Sequence, residues 1–220
     1  MKKYLIISLL CAFAACSKTD EIDRTIFVPD TSDSNLPAYS EWGYNSFGAK
    51  YDRRSYFLAS NSYVPCKIIY KDDSLRVSFI GELNGDKATL TFAFALSSPV
   101  ADISDLVVLR PATDGPDGNE YSISGAAGKG CTINMVKETV TYPSGYNSQP
   151  LTSVENINFI DGSITFKRIQ KLRVDERDER VILSGTFEAK RLNSSSGFPE
   201  ALTDGRFDIG MSENDFIAIP

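Results

Sequence analysis

The stretch LRVSFIGELNGDKATLTFAFAL, residues 75–96, leaves little freedom in how it can fold. Apolar residues alternate with polar or small ones at a period of two, the spacing that puts one face of a strand in a core. At its centre stands Asn84-Gly85, a pair suited to a type I′ turn, which needs positive φ at both central residues. If these two form the turn, Phe79 faces Leu90, Val77 faces Phe92 and Leu75 faces Phe94, so one side is wholly apolar. The other side sets Ser78 against Thr91 and Glu82 against Lys87. A slip of one residue would break both sets together.

The same period runs through most of the chain. INFIDGSITF suggests a second hairpin at Asp161-Gly162, pairing Phe159 with Ile164 and Ile157 with Phe166. SITFKRIQKLRV and RVILSGTFEAK predict a third across DERDE, with Phe166, Leu172, Val181, Leu183 and Phe187 inward. Arg168 and Gln170 interrupt the apolar parity of the first of these strands, as a bulge or an edge position would. TDGRFDIGM predicts a last strand with Phe207, Ile209 and Met211 inward. Gly185 and Gly205, in or beside strands, mark close backbone approach. VADISDLVVLRP suggests a short helical turn followed by a strand, and ATDGPDGNE and YPSGYNSQP suggest loops. No stretch has convincing helical periodicity. The expected fold is all-β: an antiparallel β-sandwich, with a partly closed barrel as the alternative.

The first residues obey another rule. Lys2 and Lys3 precede an apolar run of about ten residues, too short to cross a bilayer that requires about 20 and typical of a secretory signal. FAAC, ending at Cys16, resembles the lipobox of bacterial lipoprotein signals. That resemblance implies cleavage before Cys16 and acylation of its thiol and amine, which would tether the protein to a membrane. The expected organisation is a signal peptide over 1–15, a flexible tether over 16–36 and one domain over 37–220. TIFVP is the one apolar patch of that tether and a candidate for docking on the domain. The polar, acidic residues SKTDEID resemble the export tags of Bacteroidota surface lipoproteins. They imply the outer membrane, and its cell-surface side over its periplasmic face.

Composition then excludes several functions. Losing Lys2 and Lys3 takes the formal charge from −6 to −8, which repels phosphate backbones and argues against nucleic acid as a partner. Histidine is absent, so Ser-His-Asp and Cys-His catalysis and His-ligated zinc are excluded. No cofactor is expected. Asp114, Asp117 and Glu120 could gather around Ca²⁺, but Pro116 occupies a ligand position of the loop pattern, so no metal is expected either. Cys66 and Cys131 share parity with apolar neighbours and are read as buried thiols, a disulfide between them being the alternative.

The aromatic-rich stretch from Tyr39 to Tyr63 contains Trp42, the one tryptophan of the chain. Its first reading is closure of one end of the core. Its functional alternative is a ligand platform of Trp42, Tyr44 and Tyr51, aromatics able to stack on sugar rings. No catalytic residue stands out, and only carboxylates remain as acid–base groups.

Two segments, LPAYSEWGYNSFGAKYDRRSY and GTFEAKRLN with LTDGRFDIGMS, resemble small Bacteroidota outer-membrane lipoproteins of unknown function. The shared features are a GxNxFG-like stretch, here GYNSFG, a GTF strand and a DGRFD-like closing strand. The resemblance implies a β-rich exported domain and names no reaction. The functional expectation is a non-enzymatic, lipid-anchored envelope domain that binds a ligand or an envelope protein. A glycan-binding accessory lipoprotein is the first alternative, and a carboxylate-dependent glycoside hydrolase the second.

Overall fold

A computed structural model of the chain describes residues 25–96, 98–109, 119–124, 130–143, 149–175, 178–193 and 196–219. Cys16 and the expected signal lie outside the described residues. The strands are β1 (Ser46–Tyr51), β2 (Ser55–Ala59), β3 (Cys66–Lys71), β4 (Ser74–Leu83), β5 (Asp86–Ala95), β6 (Asn119–Ser122), β7 (Cys131–Thr141), β8 (Leu151–Asn158), β9 (Asp161–Asp175), β10 (Asp178–Leu192), β11 (Pro199–Met211) and β12 (Phe216–Ile219). They form one sheet in the order β6-β9-β10-β11-β1-β2-β4-β5-β7-β8. The upper part of one β4 edge pairs β2, and its lower part pairs β3, on which β12 lies parallel. All other pairings between these strands are antiparallel.

The sheet curls into a half-barrel whose two arms face each other. Phe79 of β4 stacks on Phe187 of β10 at 5.4 Å and meets Phe207 of β11 at 5.1 Å. Phe94 of β5 lies 4.1 Å from Tyr121 of β6 and 6.1 Å from Phe166 of β9, centroid to centroid. Rings of this size remove most apolar surface per residue, and their tilted and stacked contacts add to that burial. The all-β expectation holds, in its partly closed form.

The Asn84-Gly85 hairpin forms in the expected register, with Asn84 at φ 56° and Gly85 at φ 83°. Ser78 and Thr91 hydroxyls meet at 3.0 Å. Glu82 and Lys87 are opposite each other, but Lys87 binds Glu138 at 2.9 Å and Glu82 accepts a bond from Ser60 at 2.6 Å. Asp72 and Asp73, at φ 49° and 57°, make a second two-residue turn between β3 and β4 without any glycine. Aspartate tolerates this left-handed region better than most residues.

The expected hairpin at Asp161-Gly162 does not form. β8 pairs β7, while β9 pairs β10 and β6, although Ile157, Phe159, Ile164 and Phe166 all point inward as predicted. Asp161 has no positive φ, so a type I′ turn is ruled out; Gly162 has φ 140°, and a Cβ there would lie 2.4 Å from the Glu188 carbonyl. The chain instead crosses from one arm to the other. Phe159 N–H donates to the Ile133 carbonyl at 3.1 Å and Ile160 N–H to the Lys190 carbonyl at 2.8 Å.

β9 and β10 pair as expected, and the interrupted parity resolves as a bulge. Ser184 faces Arg168 but Gly185 faces Phe166, which leaves Lys167 as the extra residue. Ile164 and Phe166 therefore face inward before it and Ile169 after it, while Arg168, Gln170 and also Leu172, expected inward, turn to the outer face because the extra residue reverses the parity. Close approach at the glycines is direct: a Cβ on Gly185 would lie 2.0 Å from the Thr165 carbonyl and one on Gly205 2.1 Å from the Phe187 carbonyl. Residues 103–109 form a 3-10 helix, not a strand. Val100, Ile103, Leu106 and Leu109 are buried at a spacing of three, the period of that helix.

One further expectation is corrected, and the two cysteines follow the first of their two readings. Residues from Ile26 to Leu36, assigned to the tether, are docked on the domain. Leu36 is fully buried, Pro29 bridges Pro37, and Arg206 holds Asp30 at 2.5 Å. Cys66 and Cys131 are free, buried thiols. Cys66 faces Phe79 and Cys131 faces Phe94, three strand spacings apart in the β3-β4-β5-β7 order. At about 4.8 Å per spacing they lie well beyond the Cα limit of roughly 7 Å for a disulfide.

Candidate functional site

Residues 38–44 form a loop lying on the outer face of the sheet, and its base is closed by the docked N-terminal segment. Ala38 N–H donates to the Val28 carbonyl at 2.6 Å and Ile26 N–H to the Tyr44 carbonyl at 2.8 Å. Beneath the loop sits Asp208. By parity it belongs to the solvent side of β11, yet it is only 1% exposed. Its carboxylate accepts the backbone N–H groups of Trp42 at 3.1 Å, Gly43 at 2.7 Å and Tyr44 at 3.2 Å, and also the Ser40 hydroxyl. Successive N–H groups converging on one anion make a nest, and the charge strengthens each bond. Gly43 at φ 75° and Asn45 at φ 53° supply the bends, and Asn45 Oδ1 accepts Gly210 N–H at 2.9 Å.

This clamp holds Trp42 outward, 74% exposed. Beside it is a cleft of about 490 Å³ between the loop and strands β9 and β10. Its floor is Ile182 and Leu172, and its walls are Tyr39, Glu41, Trp42, Arg168 and Gln170. Arg168 Nη1 meets Glu41 Oε2 at 2.6 Å, and its Nη2 donates to Gln170 Oε1 at 2.9 Å. The Tyr39 hydroxyl donates to Glu41 Oε1 at 3.0 Å, and Lys167 Nζ lies 5.6 Å from the centre of the Tyr39 ring. The Arg168 hydrogen bond holds the Glu41 carboxyl below its ordinary range, so it stays ionised. Burial, and then the bond to Glu41, push the Tyr39 phenol above its ordinary value. The bulge at Lys167 is what aims Arg168 and Gln170 into the cleft.

Of the three aromatics chosen from sequence, the structure brings only Trp42 to this cleft. Tyr44 is half-buried and fixed through its backbone. Tyr51 ends β1 and donates to Glu200 at 2.5 Å, in a cluster with Arg191 that is 2.6 Å from the same carboxylate. Tyr39, Glu41, Arg168, Gln170 and Asp208 were not singled out. The visible signal was the broken parity at Arg168 and Gln170; an acid at a solvent-parity position gave none.

A second cavity, of about 360 Å³, lies between the β2–β3 loop and the end of β11, with Asn45, Tyr63, Cys66 and Asp215 in its lining. Its one carboxylate is already engaged: Asp215 accepts the Ser212 N–H and hydroxyl. Burial, and then Asp215, raise the Cys66 thiol well above its usual value, so it is no nucleophile. Burial likewise pushes the Cys131 thiol up to about 11.

Among the described residues, no group of three or more Cys, Asp or Glu side chains is placed to hold a metal ion. Asp114 and Asp117 lie outside the described residues, and Glu120 is exposed on β6. No helix among the described residues is long and apolar enough to cross a membrane. Compared with protein-family models, curated proteins and solved structures, the chain has no significant match.

Proposed function

We propose that the protein is a non-catalytic binding domain of the bacterial outer-membrane surface, anchored by acyl chains on Cys16, that takes a saccharide in the Trp42 cleft. The observation carrying this reading is the pairing of an exposed indole, borne on a clamped backbone, with a hydrogen-bonded Glu41–Arg168–Gln170 row. An indole left in water forfeits about 1.5–3 kcal/mol of burial, and a clamped loop has its ordering cost met before any ligand arrives. A flat aromatic face suits the C–H face of a pyranose. Carboxylate, guanidinium and amide groups side by side match the alternating donors and acceptors of vicinal hydroxyls.

The arrangement favours binding over hydrolysis. A glycosidase needs two carboxyl groups flanking the bond, commonly about 5–10 Å apart, one of them able to give a proton. Glu41 is ionised and bonded to Arg168, and the Asp208 oxygens are occupied under the loop by N–H and hydroxyl donors.

Affinity electrophoresis through polysaccharide gels tests the site. Trp42→Ala should weaken retardation at least about tenfold, corresponding to roughly 1.4 kcal/mol. If neither a polysaccharide in the gel nor a lipid-borne saccharide in a vesicle binds the unaltered protein, the saccharide reading is wrong. The anchor is tested separately by Cys16→Ser, which should move the protein from the membrane to the soluble fraction and remove the fatty-acyl mass.

A further inference from the structure

The chain enters its folded domain beside the cleft. Residues 26–28 close the base of the loop that carries Trp42, through the Ile26–Tyr44 and Ala38–Val28 hydrogen bonds. The Asp30–Arg206 pair at 2.5 Å pins the same segment to β11. Ile26, Phe27 and Val28 stay exposed on that segment, as do Tyr39 and Trp42 on the loop it braces, with the Lys167 ammonium beside the Tyr39 ring. Aromatic and aliphatic side chains bordered by Lys and Arg are favoured at a membrane–water interface.

Thr25 is nine Cα steps from Cys16, and nine steps span at most about 31 Å in any conformation. A domain of about 200 residues is roughly 40 Å across. An anchor on Cys16 is therefore too short to let the far side of the domain rest on the membrane. The side bearing Ile26, Phe27 and Trp42, where the tether attaches, is held nearer to it.

We infer that the cleft opens onto the membrane that holds the protein, and that its sugar is carried on a lipid headgroup of that membrane rather than on a soluble chain. This inference rests on the anchored, saccharide-binding reading. A headgroup sugar meets the cleft at the high effective concentration of a tethered encounter, whereas a free oligosaccharide does not.

Because Trp42 is the one tryptophan, its emission reports on the cleft alone. The acylated full-length protein is placed in phosphatidylethanolamine–phosphatidylglycerol vesicles with or without lipopolysaccharide, and quenching of Trp42 by acrylamide is measured. A parallel arm supplies the oligosaccharide released from that lipopolysaccharide, free in solution at equal sugar concentration. Quenching should fall several-fold with the lipid-borne sugar and little with the free one. Inserting ~20 Gly/Ser residues between Arg24 and Thr25 should cut that advantage roughly sixfold, following the −3/2 power of linker length. Equal protection by the free oligosaccharide, or an advantage unchanged by the longer linker, overturns the inference and leaves sugar binding standing. Protection by neither sugar overturns the saccharide site too. A chain that fails to sediment with vesicles overturns the anchor, and the inference with it.

Discussion

Phe207 and Asp208 are neighbours in β11, and they organise opposite faces of the sheet by different means. Inside, Phe207 shares its role with Phe47, Phe79, Phe166 and Phe187, rings spread over several strands. Outside, one carboxylate gathers a whole loop. Packing distributes its stabilisation over many partial contacts, so its pattern is visible as repetition. A polar clamp concentrates it in one group, whose importance depends on donors brought from elsewhere in the chain. The inner face should thus fail globally and the outer one locally.

The largest effect is expected from Phe79→Ala, about 3–5 kcal/mol for a buried ring, read as a lower urea midpoint for the whole fold. A loss under 1 kcal/mol would mean the arms are not held by the shared aromatic core. Next comes Asp208→Ala, about 2–3 kcal/mol from leaving several donors unpaired. It should deprotect the amides of residues 42–44 to hydrogen exchange and alter Trp42 emission. If those amides keep their protection, the clamp is not what orders the loop. Asn84→Ala should cost about 1 kcal/mol, because alanine resists the left-handed conformation. Asp161→Ala, at a dipeptide of similar appearance but different geometry, should stay within about 0.5 kcal/mol by thermal denaturation.

Acid gives the smallest effect. Glu41 is held below its ordinary value of 4.5 chiefly by the Arg168 hydrogen bond. Asp30 is held near 2 rather than 3.8 by its Ser32 hydrogen bonds and the Arg206 charge. Both carboxyl groups are depressed on folding, so what they contribute is complete above the ordinary values and lost as pH falls through the lowered ones. Trp42 emission should be flat from neutral pH down to about pH 4 and shift only below it. A transition above pH 5 would point to other groups.

The sequence made the inner face readable because parity is a local property. Residues 75–96 carry their own turn and both of their faces, so register follows without knowing the rest of the fold. Arg168 and Gln170 showed that the repeat breaks in β9, and the bulge at Lys167 is the cause. Asp161-Gly162 misled because its geometry is decided by long-range closure: the segment has to reach from β7 to β10. Trp42 was legible as an exceptional residue, but its companions were not. Tyr39, Glu41 and Arg168 meet only because the loop folds onto a strand more than 120 positions away in sequence. The GYNSFG and DGRFD segments singled out by resemblance prove to be partners, β1 beside β11, with Gly43, Asn45 and Asp208 joining them.

The two-residue passage at Phe159 and Ile160 works as a strut. It fixes the gap between the arms with a hydrogen bond to each, and the rings between them fill that gap. The interior of such a shell is filled by side chains, whereas wider barrels enclose space for a guest. Among the described residues that leaves the outer face, where the sheet wears a clasped loop and one bare indole, as the surface open to a partner.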